Sequence, residues 1–279
     1  MLTDRSISED PETLGHIVQF ADADESLLTN VTEYLLAGWA QGDALLVIAT
    51  PERNAAFVRA LRQSGSDPDA AVRERRLLFA DAGQTLSRFL DNGQPDWYRF
   101  QRTIGALIAQ LRPRPEDTEL RAYSEMVGLL WKARLSTAIR VEQFWNEFLS
   151  AHSFHLFCSY PINVFGKDFH PATLRPLLSA HTHLVPSRGN RDLGGAVDRA
   201  MDEILGPSVR KERSLFSAND PPAWPIMPEA EASILWLRSN FPLCAEEILA
   251  RARQYFQISR QSEHSPNANP RSPVARAIP

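Results

Sequence analysis

The stretch from residue 119 to residue 160 constrains the fold more than any other part of the chain. It begins with a strand-like run at residues 120–124 that ends on Glu125, continues through apolar residues at helical spacing, and closes with an apolar strand at residues 154–160. Two strands that bracket helices within about forty residues form a βαβ crossover, which places two parallel strands side by side. Because open α/β sheets bind ligands at the C-terminal ends of their strands, we expect Glu125 at the functional edge.

The same alternation of strand and helix extends back to residue 16. Apolar runs at residues 16–21, 44–49 and 77–80 are typical of buried strands, and segments with helical spacing separate them. This alternation predicts an α/β fold in three layers, with a mainly parallel sheet covered by helices on both faces. We also expect the first strand to lie beside the strand that ends at Glu125.

The pattern loosens after residue 160 and suggests a division of the chain. Residues 1–13 are predicted to be a disordered lead-in, and residues 14–186 form the α/β domain. A linker and a small helical extension are expected over residues 187–260, with residues 186–195 as the linker. The last segment, residues 261–279, is rich in Ser, Pro, Asn and Arg and is predicted to be disordered.

Composition excludes several classes of protein. The net charge of −4 gives no basic face for nucleic acid, so direct nucleic-acid binding is not expected. No apolar run approaches the length of a membrane span, and the first fifteen residues are unlike a secretory signal. The cysteines, Cys158 and Cys244, lie far apart in apolar segments and are expected to be free thiols rather than a disulfide. A cytoplasmic location follows as an expectation.

The turn after the first strand argues against ATP binding. A phosphate-binding loop needs closely spaced glycines and a lysine at this position, because backbone amides and an ammonium group hold the phosphates. Residues 21–27 contain neither, and instead carry Asp22, Asp24 and Glu25. No nucleophile elbow, dinucleotide fingerprint or zinc-protease motif occurs elsewhere. The sequence therefore predicts a protein that is not an enzyme and needs no cofactor.

Histidines near Cys158 raise the question of a metal site. Imidazole and thiolate suit zinc, and the chain has His152, His155, His181 and His183 nearby in sequence. Their spacing matches no strong zinc signature, and residues 181 and 183 would point to opposite faces of an extended segment. We therefore expect hydrogen-bonded structural histidines and no metal.

Glu125 allows three interpretations: a catalytic acid, a cap of the following helix, or a group that recognises a polar ligand atom. Glu142 and Asn146 are four residues apart and share one helix face. Four aromatic residues could line an apolar pocket with Glu125 and Asn146 as orienting groups, or could simply be core. These are Trp131, Trp145, Tyr123 and Tyr160.

Several short blocks resemble one known family, the MEDS domain (methanogen/methylotroph, DcmR sensory domain), over about residues 14–186. The blocks are HIVQF at 16–20, AG at 37–38 with GD at 42–43, LVIATPE at 46–52, RLL at 76–78, RAYSEMV at 121–127, LW at 130–131, Glu142 with WN at 145–146, and CSYP at 158–161. The resemblance implies a RecA-like fold, akin to the circadian-clock ATPases, that has lost its phosphate-binding loop. It also implies a sensory module, often fused to histidine kinases or DNA-binding regulators.

The leading hypothesis is a non-catalytic sensory or regulatory protein that binds a small molecule or a partner at the C-terminal edge of the sheet. Its signalling partner would be a histidine kinase or a transcription regulator, and it could form a homo-oligomer. The alternatives are an atypical nucleotide-binding ATPase and a ligand-free interaction scaffold. The candidate ligand-binding residues are Asp24, Glu25, Thr50, Tyr123, Glu125, Trp145, Asn146, Tyr160 and His181.

Overall fold

The computed structural model describes residues 15–21, 24–112, 119–186, 189–209 and 226–263. Within these ranges the side chains of residues 24, 25 and 260–263 are not described. The predicted lead-in at residues 1–13, the Pro-dense stretch before residue 226 and most of the predicted tail at 261–279 lie outside the described residues.

A six-stranded, wholly parallel sheet forms the centre of the protein, with strand order β3-β2-β6-β7-β1-β8. Its strands are β1 (His16–Phe20), β2 (Ala44–Ala49), β3 (Leu77–Asp81), β6 (Leu120–Ser124), β7 (His155–Tyr160) and β8 (His183–Leu184). A small antiparallel hairpin pairs β4 (Leu90–Asp91) with β5 (Gln94–Pro95). Residues 44–49 are buried throughout, as a central parallel strand covered on both faces requires.

Eleven helices of the described residues are named in chain order. They are α1 (Asp24–Gln41), α2 (Pro51–Gln63), α3 (Pro68–Arg73), α4 (Ala82–Phe89), α5 (Trp97–Ile108), α6 (Met126–Leu130), α7 (Leu135–Ala151), α8 (Pro171–Leu178), α9 (Asn190–Leu205), α10 (Glu229–Asn240) and α11 (Ala245–Glu263). Local signals explain several starts: Asp67, Asp81 and Asp96 each accept a backbone N–H of the helix they precede.

Strand neighbours confirm one sequence-based expectation and correct another. β6 and β7 are parallel neighbours, as the βαβ crossover predicts. The expectation that β1 lies beside the strand ending at Glu125 is wrong, because β7 is inserted between β1 and β6. With strands about 4.8 Å apart, the turn after β1 and the end of β6 are separated by roughly 10 Å.

Alternation along the strands divides the apolar core between two faces of the sheet. Ile17, Tyr123 and Phe157 belong to one core, which α1, α2 and α3 cover. Val18 and Cys158 belong to the other, which the later helices from α4 onward cover. Since successive side chains of a strand point to opposite faces, the two cores are separate layers. The predicted three-layer α/β fold is confirmed.

The C-terminal helices pack on the same face as α8 and share its core. Ile234, Leu237 and Ile248 are fully buried within it. The predicted linker at residues 186–195 is wrong in part, since α9 begins at Asn190, just after Gly189 adopts a positive φ of 77°. Helix α11 also continues to Glu263, into the segment predicted to be a disordered tail.

Both cysteines are free thiols, as expected, with Cys158 buried and Cys244 half-buried. Among the described residues, every helix is too short or too polar to cross a lipid bilayer.

Candidate functional site

A row of buried polar side chains crosses the C-terminal ends of four strands on the face covered by α1 and α2. Gln19 of β1 is in register with Ser159 of β7, and the Ser159 and Tyr123 hydroxyls are 2.8 Å apart. Two residues beyond Tyr123, the Glu125 carboxylate continues the row toward β2. We call Gln19, Ser159, Tyr123 and Glu125 the strand-end row. All four are at most 6% exposed, so their polar atoms depend on partners within the protein.

Glu125 holds the first turn of α2. Its Oε1 accepts the backbone N–H of Thr50, and its Oε2 is 2.6 Å from Nε of Arg53. One of the three interpretations of Glu125, a side-chain cap of the following helix, is not what the structure shows: its carboxylate makes no capping hydrogen bond to α6. It links the end of β6 to the start of α2 instead, as an acid near a helix N-terminus does favourably.

Two carbonyl oxygens at this edge have no hydrogen-bond partner among the described residues. Gln19 donates from Nε2 to Oγ of Ser26 at 3.2 Å, which leaves its buried Oε1 without a donor. Asn54 donates to the carbonyls of Ala49 and Ala80, and its Oδ1 is also unpaired. Burial raises the pKa of Tyr123, and the charge of Glu125 raises it further, so its hydroxyl stays neutral. The edge therefore presents acceptors and neutral hydroxyls.

A second polar group lies in the core on the opposite face. We define the His-Glu cluster as His16, Glu142, Cys158, Tyr160 and His181, which are all at most 6% exposed. β1 supplies the first histidine, α7 the glutamate, β7 the cysteine and tyrosine, and the turn before β8 the second histidine. Because β1 lies between β7 and β8, these distant segments meet beneath α7.

Hydrogen bonds fix the orientation of His16. Asn146 donates from Nδ2 to the carbonyl of Ala180 at 3.0 Å, so its Oδ1 is the acceptor that faces His16. Nδ1 of His16 is 2.8 Å from this oxygen and must donate to it. The other ring nitrogen, Nε2, then faces Sγ of Cys158 and Oε2 of Glu142, each 3.3 Å away.

His181 has the same arrangement. Its Nδ1 is 2.7 Å from the carbonyl of Leu177, which can only accept, so Nδ1 carries the proton. Its Nε2 is buried, has no hydrogen-bond partner in the described part of the chain, and lies 3.5 Å from Oε1 of Glu142. The two imidazole rings are 4.1 Å apart between centroids. Both histidines thus turn Nε2 toward one carboxylate.

The protonation states of the cluster follow from burial and proximity. Burial, together with the neighbouring His16, lowers the pKa of His181 to about 4, so His181 is neutral at pH 7. Burial alone would raise the pKa of Glu142, but the histidines and the Tyr160 hydroxyl, which donates to Oε1, bring it below its usual value. Burial, together with the charge of Glu142, raises the pKa of Cys158 and Tyr160. The cluster therefore contains a buried carboxylate beside a neutral His181 and the neutral side chains of Cys158 and Tyr160.

The candidate residues taken from the sequence fall into separate groups. Asn146, Tyr160 and His181 meet at the His-Glu cluster, whereas Tyr123 and Glu125, with the Thr50 backbone, meet at the strand-end row. Trp145 packs edge-on against Phe100 in the core, at 5.0 Å between centroids. Asp24 and Glu25 lie in the first turn of α1, and their side chains are not described.

Two ideas about a shared pocket are wrong for the same reason. Tyr123 and Tyr160 belong to opposite faces of the sheet, so they cannot line one pocket with Trp131 and Trp145. Glu125 and Asn146 likewise have unrelated partners and cannot orient the same ligand atom. Trp131 does pack against Tyr160, with ring centroids 5.7 Å apart.

Sequence reasoning missed several residues of both groups as functional candidates. His16 and Gln19 appeared only in a family block, and Glu142 only there and for the helix face that it shares with Asn146. Cys158 was weighed only for a metal site that the sequence argued against, and Arg53 was not considered. Strand alternation contains part of the signal, since positions 158 and 160 of one strand share a face. The pairing of residue 16 with this face depends on strand order, which no local pattern reveals.

The fold is a three-layer parallel α/β domain with one buried polar group on each side of its sheet. The family model described as MEDS, MEthanogen/methylotroph, DcmR Sensory domain, matches residues 15–182. The chain therefore belongs to the MEDS family and carries a sensory domain, which confirms the resemblance found in the sequence. None of the curated proteins compared with the chain matches it.

Proposed function

We propose that this protein is a non-catalytic sensory regulator whose MEDS domain binds a small molecule or a partner group at the strand-end row. The observation that carries the proposal is the buried Oε1 of Gln19, which has no hydrogen-bond partner among the described residues and belongs to the same row as Ser159, Tyr123 and Glu125. Acceptors that lack donors favour a ligand with hydroxyl or amine hydrogens, because leaving a buried acceptor unsatisfied costs about 1–3 kcal/mol. The position at the C-terminal ends of parallel strands supports this choice.

Charge at this edge argues against a nucleotide. Glu125 is the carboxylate of the row, and residues 21–27 of the sequence contain three more, Asp22, Asp24 and Glu25, without any glycine or lysine. Arg53 is held in an ion pair with Glu125 and would have to leave it to bind a phosphate. We therefore propose that the domain is related to RecA-like proteins but has lost their phosphate-binding loop. We infer that it acts as a sensory domain rather than as an ATPase.

The loop after β7 offers a route from this edge to the C-terminal helices. Ser159 and Tyr160 end β7, and the chain then runs through residues 161–170. Arg238 of α10 donates to the backbone carbonyls of Phe165, Gly166 and Phe169, and its Nε pairs with Glu246 of α11 at 3.2 Å. A ligand that shifts the end of β7 would shift α10 and α11, the surface we assign to a histidine kinase or transcription regulator.

Native mass spectrometry of protein purified from its own host tests the ligand. We expect a small-molecule adduct on the wild type and on Glu147→Gln, a change at an exposed position of α7. The adduct should be lost in Glu125→Gln and in Gln19→Met, which remove two acceptors of the row while keeping side-chain size. Circular dichroism establishes that the variants are folded.

Two outcomes would contradict the proposal. If no variant and no wild-type sample carries an adduct, the domain is a ligand-free interaction scaffold. If millimolar Mg-ATP raises the melting temperature of the wild type but not of Glu125→Gln, the protein binds nucleotide, since a ligand at 100 times its Kd stabilises by about 2.7 kcal/mol.

A further inference from the structure

The His-Glu cluster brings four potential metal-binding side chains to one point. His16, Glu142, Cys158 and His181 each offer one ligand atom, and these atoms all lie within 4.8 Å of one another. The closest separations are 3.3 Å from Nε2 of His16 to Sγ and to Oε2, and 3.5 Å from Nε2 of His181 to Oε1. Ligands around a tetrahedral zinc ion are about 3.3–3.8 Å apart, given bonds of about 2.0–2.3 Å.

The orientation of the histidines is that of metal ligands. Each ring donates its Nδ1 hydrogen outward, His16 to Asn146 and His181 to the carbonyl of Leu177. Such an outer hydrogen bond fixes the tautomer and aims Nε2 at a metal. Asn146 is itself held by the carbonyl of Ala180, so the support continues one step further from the cluster.

The interior of the cluster contains a buried acceptor that lacks a donor among the described residues. Nε2 of His181 has no hydrogen-bond partner there although it is completely buried, and it faces a carboxylate oxygen that is also an acceptor. A cation between this nitrogen and the carboxylate would satisfy both acceptors. A divalent ion bound by Glu142 and by Cys158 as a thiolate would also leave the buried site neutral, which removes the cost of an isolated core charge.

The geometry points to a metal site formed by His16, Glu142, Cys158 and His181 that binds a divalent transition-metal ion, for which zinc is the probe. Two imidazoles, a thiolate and a carboxylate suit Zn²⁺ and its neighbours, whereas Mg²⁺ and Ca²⁺ prefer oxygen ligands alone. Four protein ligands complete the coordination sphere of a tetrahedral ion, which is the arrangement of a structural rather than a catalytic site. The ion would join β1, α7, β7 and the turn before β8.

This inference is independent of the strand-end row, which lies on the other face of the sheet. The sequence gives no metal signature because two of the histidines near Cys158 in the chain lie outside the cluster. His152 is exposed, and His155 pairs with Glu119. The decisive histidine, His16, is 142 residues from Cys158 in the chain.

The test uses the full chain, freed of any purification tag and stripped with a chelator, then titrated with Zn²⁺ or Co²⁺. We expect one ion per chain, ligand-field bands of tetrahedral Co²⁺ in the visible range, and a thiolate-to-cobalt charge-transfer band in the near ultraviolet. Cys158→Ser should abolish the charge-transfer band. Asn146→Leu, which removes only the support of His16, should weaken zinc binding by about 10- to 100-fold while keeping that band.

Matched controls change the same residue types elsewhere. Cys244→Ser removes the half-buried thiol and His152→Gln an exposed imidazole, and both should bind one ion with wild-type spectra. If Cys158→Ser fails to fold, the charge-transfer band of the wild type and its retention in Cys244→Ser still identify the thiolate. The inference is overturned if stripped, folded wild type binds neither ion at micromolar concentration, or if bound Co²⁺ shows no thiolate band. The cluster would then be a metal-free hydrogen-bond network.

Discussion

Buried charges in this protein are matched by partners that lie far away in sequence. Arg121 of β6 is 1% exposed, and its Nε donates to Oδ2 of Asp43 at 2.7 Å. Nη2 of Arg121 donates to Oε1 of Gln41, and the guanidinium lies over the ring of Tyr34, 5.4 Å from its centroid. The Arg121–Asp43 pair joins the end of α1 to the sheet. Because both side chains are buried, water cannot replace either partner when the other is removed.

Replacing Arg121 with Met should therefore be costly. The substitution leaves Asp43, which is 3% exposed, as a buried charge without its partner, and we expect a loss of about 3–5 kcal/mol in the free energy of unfolding. Urea denaturation followed by circular dichroism measures this loss.

The control is Arg62→Met, which breaks the Arg62–Asp69 pair at the same kind of distance, 2.6 Å, but on the surface. Exposed pairs contribute about 0–1 kcal/mol, so this variant should remain close to the wild type. Equal losses in the two variants would show that burial of the Arg121 pair has no energetic consequence.

The same distance in sequence limits what could be foreseen about the site. Glu125, Asn146, Tyr160 and His181 were singled out because they are polar residues within or beside apolar elements. Which of them meet is decided by strand order, and the order places β7 where the sequence suggested direct contact between β1 and β6. Local patterns report the face of a residue, not its neighbour across the sheet.

Helices and strands themselves were easier to foresee, because their signals are local. Thr50 followed by Pro51 marks the start of α2, and the apolar run of β2 marks a central strand. The start of α9 at Asn190 was not foreseen, because residues 189–195 contain three glycines, a composition typical of a linker. Only Gly189 serves the turn, while Gly194 and Gly195 lie inside the helix.

Helix α6 shows how a single element depends on close approach to its neighbour. An added Cβ on Gly128 would lie 2.7 Å from the carbonyl oxygen of Ser159 and 3.2 Å from Cδ of Pro161. The backbone of β7 cannot move aside without disturbing the sheet. Glycine is therefore required here by contact rather than by its backbone angles.

Gly128→Ala should lower the free energy of unfolding by about 1–3 kcal/mol, as overpacking of a core does. Gly105→Ala in α5 is the matched control, since nothing lies within 4 Å of its added Cβ. That change should raise stability by about 0.5–1 kcal/mol, because alanine favours a helix over glycine. Urea melts of both variants measure the difference, and a change of the same sign in both would contradict the packing argument.

Across the whole molecule, one arginine connects the C-terminal helices to the domain. Arg238 of α10 is 4% exposed and donates to three carbonyls of the loop after β7. The desolvation of its side chain is offset by these bonds and by Glu246 of α11. The loop, α10 and α11 are consequently one connected unit.

Replacing Arg238 with Met should loosen that unit. The substitution leaves the three loop carbonyls without a donor. We therefore expect the free energy of local opening at residues 162–170 to fall by about 1–3 kcal/mol, which amide hydrogen exchange would report as faster exchange. Arg253→Met on the exposed side of α11 serves as the control and should leave exchange unchanged. Unchanged exchange in Arg238→Met would mean that the helices and the loop are not coupled.

The place of β1 between β7 and β8 has a consequence for biosynthesis. Residues 16–20 leave the ribosome long before their partners, since His16 pairs with Leu156 and Ile17 with His183. At 5–20 residues per second, the first strand waits roughly 7–30 seconds for neighbours on either side. During that interval a strand that is wholly buried in the folded protein has no neighbour to pair with, so the nascent chain offers a target to chaperones until translation has passed residue 184.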